Sequence, residues 1–140
     1  MKEDKSKFYL EDRLLEYATR IFRLVESLPA TLAGRHVAGQ LLRSGTNPLS
    51  QHGEAQAAES PEDFLHKMKV GLKELKETWR WLRLSKNVPL IKSPTNLDPL
   101  LQETDELIRI FVTSIRTSAT NSAKNSKNQT SNLYRFKFHV

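Results

Sequence analysis

The sequence predicts an all-α protein, an antiparallel up-down-up-down bundle of four helices. Two observations carry this. Four stretches repeat apolar side chains at helical steps, and proline-containing breakers or helix-start signals separate them at Pro29, Ser60-Pro61, Asn87 to Pro89 and Asp98-Pro99. A chain of 140 residues suits one compact domain. We expect residues 1–8 to form an N-terminal tail, 9–117 the bundle and 118–140 a flexible basic tail.

In the first stretch Leu10, Leu14, Tyr17, Ile21, Leu24 and Leu28 make one seam, and Leu15, Ala18, Phe22 and Val25 a second row beside it. So broad an apolar sector exceeds what one partner helix covers. Pro29 excludes a helical residue before it and ends the stretch.

The second stretch, Thr31 to Glu59, is built of small residues, with Gly34, Gly39, Gly45 and Gly53 among several alanines. Each glycine costs a helix roughly 1 kcal/mol, a cost offset only where another backbone approaches closely. Pro48 removes a hydrogen bond and crowds the Ser44 carbonyl, which predicts a kink or break there.

Ser60-Pro61-Glu62-Asp63 combines a cap, a first-turn proline and acids at a helix N-terminus. The seam that follows is Leu65, Met68, Leu72, Leu75, Trp79 and Leu82. The fourth helix opens at Asp98-Pro99 with the seam Leu101, Thr104, Ile108, Phe111 and Ile115, leaving Leu100, Leu107 and Val112 as surplus apolar surface. Surplus of this kind predicts a homo-oligomer, with Leu15, Phe22 and Trp81 at the subunit contact.

From Ser118 to Asn132 there is no large apolar side chain, hence too little burial to offset ordering entropy. Beyond it Tyr134, Phe136, Phe138 and Val140 alternate with Arg135, Lys137 and His139, as in a docking strand or a basic-aromatic end.

The chain has 22 Lys and Arg against 16 Asp and Glu, a formal charge of +6. The excess is localised. Residues 1–61 are balanced, 62–92 carry +4, 93–115 carry −3 and 116–140 carry +5. In the third helix Lys69, Lys73, Lys76, Arg80 and Arg83 step by four and three, always one position after a core residue. A rigid row of cations matches the repeating phosphates of a nucleic-acid backbone. It equally matches a solvated face whose aliphatic stems cover the edge of a core. Lys124, Lys127, Arg135 and Lys137 of the tail would extend the basic surface.

Trp79 and Trp81 lie about 200° apart on a helix. Trp79 falls in the core row, and Trp81 on the flank of Gly71, Glu74 and Thr78, where a subunit contact is expected. Arg43, Gln51 and Glu54 stand among small residues, as members of a polar network that fixes helix register or, alternatively, of a binding site.

Nothing in the sequence points to catalysis. There is no cysteine, and His36, His52, His66 and His139 lack the spacing of a metal site. Asp63 and His66 supply half of a di-iron pair with no second pair to match. Gly34, Gly39 and Gly45 lack the strand and the Lys-Ser/Thr ending of a phosphate loop. We therefore expect no enzyme activity, no cofactor and no small-molecule substrate. The charged start and the absence of a long apolar run predict a soluble, cytoplasmic protein without membrane association.

Three segments carry a resemblance: Gln40-Leu41-Leu42-Arg43-Ser44-Gly45-Thr46, Gly53-Glu54-Ala55-Gln56-Ala57-Ala58-Glu59-Ser60, and Asp63-Phe64 with Lys67, Lys73-Glu74, Glu77-Thr78 and Trp81-Leu82. Together they resemble the bacterial four-helix-bundle proteins encoded in intervening sequences of 23S ribosomal RNA genes. That fold is similar to the accessory variability protein of diversity-generating retroelements. The resemblance covers residues 10 to 117 and is densest from 40 to 82. It implies a homopentameric barrel, and for the retroelement relatives a role in binding nucleic acid. The chain departs from the family pattern at Gln51-His52-Gly53-Glu54, where an Asn and a β-branched residue usually precede the glutamate, and Pro48 comes one position early.

The expected function is thus a non-enzymatic oligomer that binds RNA or DNA through backbone electrostatics with little sequence readout. The alternative is an adaptor whose partner is a protein, such as a reverse transcriptase or a ribosomal component.

Overall fold

The computed structural model describes the backbone of residues 5–139 and the side chains of residues 9–124. Four long helices follow one another: α1 (Lys5–Ser27), α2 (Leu32–Gln56), α3 (Pro61–Asn87) and α4 (Asp98–His139). A 3-10 turn at Pro94–Leu97 leads into α4. Among the described residues there is no strand, and no helix is long and apolar enough to cross a membrane.

The helix starts obey local chemistry. Thr31 caps α2 by accepting the Gly34 amide at 3.0 Å, and Ser60 caps α3 by accepting that of Asp63 at 3.1 Å. Two expected boundaries move. α1 begins at Lys5, and α4 continues past residue 117 to His139. No proline or glycine follows Pro99, so nothing interrupts the hydrogen-bond ladder. The polar stretch from 118 withholds burial but not helical geometry. The strand considered for the last residues is not formed, because the backbone is helical through His139. Of the kink or break expected at Pro48, the break does not occur: α2 continues through it, and Pro48 is fully buried, its packing offsetting the missing bond.

Each helix packs on its neighbours in the chain, and α4 closes against α1. Pairs between α2 and α3 run in opposite order, from Glu54 with Lys67 to Ser44 with Thr78 to His36 with Trp81, so these helices are antiparallel. The result is a four-helix bundle.

Its core holds Leu14, Tyr17 and Ile21 of α1, Val37, Leu41 and Ala55 of α2, Met68, Leu75 and Leu82 of α3, and Leu100, Leu107 and Phe111 of α4. Leu100 and Leu107 are core residues, not surplus surface. α4 touches helices on both sides, and that demands a wider apolar sector than one seam. The second row of α1 splits: Ala18 is buried and Val25 partly covered, while Leu15 and Phe22 stay outside at 54% and 51% exposure.

The buried row of α3 is Met68, Gly71, Leu75, Thr78, Leu82 and Ser85. It lies one flank round from the expected seam, because small residues let helices approach. A Cβ at Gly71 would stand 2.7 Å from Cε2 of Phe111, and one at Gly45 2.8 Å from two side-chain carbons of Ile21. α4 seats Phe111, and α1 seats Ile21, on these two glycines.

Across the α1–α4 seam, Tyr17 Oη and Thr104 Oγ1 lie 2.6 Å apart, and Thr104 donates to the Leu100 carbonyl. Thr104 has one hydroxyl proton, so Tyr17 is the donor. Beside them Arg13 forks onto Glu103, with bonds of 2.9 and 2.6 Å, and reaches Glu106 at 2.8 Å. These bonds hold the Glu103 carboxyl below its usual range.

Candidate nucleic-acid interface

α3 carries the densest cationic row of the bundle. Lys69, Lys73, Lys76, Arg80 and Arg83 are all exposed. They span 15 residues of one helix, about 21 Å of axis between the first and the last. Among the described residues none of the five is in an ion pair, although α3 has other cations that are. Lys67 pairs with Glu54 at 3.0 Å and Lys86 with Asp98 at 2.6 Å. Arg80 is tethered only by a 3.3 Å bond to the Lys76 carbonyl. The guanidinium of Arg83 sits 4.7 Å from the centroid of the Trp79 ring.

The acids of α3 do not cancel this row. Glu74 and Glu77 are both held by Arg43 of α2, the first at 2.9 Å. The bond to Glu77 is the chief cause of the raised Arg43 pKa. Two carboxylates that would screen the row are paired on the α2 flank, where Arg43 offsets one of their two charges.

Arg43, Gln51 and Glu54 are therefore not one network. Arg43 is exposed and tied to α3, Glu54 is tied to Lys67, and the bond to Glu54 raises the lysine's pKa. Gln51 Nε2 reaches only Asn47 Oδ1 at 3.5 Å, and its Oε1 is buried without a partner. Arg43 lies eight residues, about 12 Å of axis, from Gln51, and Gln51 and Glu54, although one turn apart, are turned to different partners, Asn47 and Lys67.

The two tryptophans exchange the places the sequence suggested. Trp81 packs against the core cluster and meets His36 edge-on, with centroids 5.7 Å apart. Its flank, with Gly71 and Thr78, meets α2 and α4 of the same chain, so Trp81 is partly covered within the bundle. Trp79 is only partly covered and lines an open cleft of about 700 Å³ with Arg83, Leu84, Lys86, Asn87 and Leu101. Sequence reasoning missed this cleft. The signal was there in Gly71, Thr78 and Ser85: small residues at seven-residue steps mark the close-packed flank and turn Trp79 outward.

Leu15 and Phe22 stand exposed on the outer face of α1. Lys124 is exposed on α4; the side chains of Lys127, Arg135 and Lys137 lie outside the described residues.

Comparison with known proteins fits this architecture. The sequence model of the 23S rRNA-intervening sequence protein family matches residues 11–113. A crystal structure of a protein of unknown function from the S23 ribosomal protein family of Bacteroides thetaiotaomicron VPI-5482 superposes with a TM-score of 0.72 at 29% identity, covering 79% of this chain and 97% of that one. No curated protein matches the chain.

Proposed function

Because the chain belongs to the 23S rRNA-intervening sequence protein family, we propose that it is a non-enzymatic protein that binds RNA or DNA by its phosphate backbone, using the exposed face of α3. The observation that carries this reading is the set of five exposed cations without ion pairs, beside two carboxylates occupied by Arg43. A solvated face serving only to cover the core would have no need to sequester its acids. An RNA-directed role also agrees with the ribosomal family of the solved relative.

The binding unit is an oligomer, a pentamer as the resemblance implies, joined through the outer face of α1. Leu15 and Phe22, seven residues apart and half exposed, support that contact. Symmetry would multiply the row, and several weak sites on one particle bind a long polyanion better than one.

The test is a salt titration with labelled RNA and DNA alongside light scattering. Affinity should fall with salt at a slope of about −0.7 to −0.9 per neutralised phosphate. Changing Lys69, Lys73, Lys76, Arg80 and Arg83 to Gln should remove binding and leave helicity intact. Unchanged binding by that variant would refute the assignment, and a particle with the mass of one chain would refute the oligomer.

A further inference from the structure

The cationic row of α3 has unlike ends. Beyond Arg83 it runs into the cleft of Trp79, Leu84, Lys86, Asn87 and Leu101. Near its start, the cleft between Ala55 and Phe64 contains Glu59 and no cation. Among the described residues the Arg83 end joins an exposed cation without an ion pair to a partly exposed aromatic ring.

That end has a particular chemistry. Trp79 offers a flat π surface outside the buried row of α3, unlike Tyr17 and Phe111, which are at most 1% exposed. The Arg83 guanidinium lies over this surface, 4.7 Å from the ring centroid, so a planar cation and an indole adjoin at the cleft. Leu84, 44% exposed, and Leu101 add apolar walls. The exposed Asn87 amide presents both a donor and an acceptor at the rim. Lys86 is engaged by Asp98, which leaves Arg83 as the cation available to an incoming anion. A planar aromatic ring with hydrogen-bonding edges, attached to a phosphate, satisfies every part of this list. That is a nucleotide. A paired base hides its faces in the stack and its edge in the partner, so the cleft suits an unpaired one.

We propose that the cleft holds one unpaired base of a single-stranded nucleic acid against Trp79 and Arg83, so that the α3 row prefers single strands to duplex. The inference rests on the backbone-binding role of the row. The row supplies the attraction common to both forms, and the cleft supplies the difference between them.

The experiment compares a short labelled oligoadenylate with the same strand in duplex, using the full chain and intrinsic tryptophan fluorescence. Wild type should bind the single strand more tightly, with quenching of Trp79 on binding. Trp79→Leu should lose about 5- to 100-fold in single-strand affinity, the worth of one stacked base, with duplex affinity and salt slope unchanged. Trp79→Phe keeps a ring and should recover most of the loss. Asn87→Ala, at an exposed position that does not threaten the fold, should weaken single-strand binding alone. Equal losses on both forms, or none on the single strand, would overturn the cleft and leave the cationic row standing. Failure of wild type to bind either form at low salt would overturn both. Quenching by free adenosine monophosphate at the same concentrations as the oligomer would mark a mononucleotide site and overturn the strand assignment.

Discussion

Arg43 on α2 donates to the Glu74 carboxylate on α3 at 2.9 Å, and the same guanidinium bonds Glu77. One arginine thus raises the net positive charge of the neighbouring α3 face. Without it, two free carboxylates would lie within a helical turn of Lys73, Lys76 and Arg80.

Arg43→Ala should therefore weaken polyanion binding without touching a single cation of the row. The ion pairs are partly exposed, so the stability cost should be about 1 kcal/mol or less. Affinity at low salt should fall severalfold, and Glu74→Gln with Glu77→Gln should restore it in the Arg43→Ala background. Filter binding and thermal melts of wild type and the two variants check this.

The glycines divide into two classes, and alanine substitution should separate them. At Gly39 and Gly53 a Cβ meets nothing within 4 Å, and the backbone is helical. Alanine there should stabilise the fold by about 0.5–1 kcal/mol through helix propensity. At Gly45 and Gly71 the added Cβ strikes Ile21 and Phe111. Those variants should lose about 1–3 kcal/mol by overpacking. Urea unfolding of the four single variants would show shifts of opposite sign.

His52 gives the bundle an acid sensitivity. It is 3% exposed, its Nδ1 has no partner, and burial is the main reason its pKa lies below the ordinary 6.5. Glu11 of α1 opposes that shift more weakly. The folded ring stays neutral while the unfolded chain takes up a proton. Stability is therefore full above about pH 6.5 and declines as the pH falls toward the folded pKa. Urea midpoints should drop between about pH 7.5 and 5.5 in wild type, and His52→Leu should reduce that drop.

Much of this protein was legible in its residues because helices are local. The four periodic stretches, the cap at Ser60, the start at Asp98 and the cationic row of α3 all follow from spacing within one segment. The row needed no tertiary information: positions four and three apart share a helix face wherever the helix lies.

What spacing within a segment does not set is how each helix is turned about its own axis. That rotation depends on which flank lets another backbone come closest. Gly71, Thr78 and Ser85 bring α2 and Phe111 against α3, which carries Trp81 inward and Trp79 outward. The same packing brings Arg43 onto Glu74 and Glu77, 31 residues and more away in the chain. Local periodicity was enough for the bundle and for its positive stripe. The acids paired with Arg43 beside that stripe, and the aromatic cleft at its end, are consequences of close packing between helices, and only the folded chain brings them together.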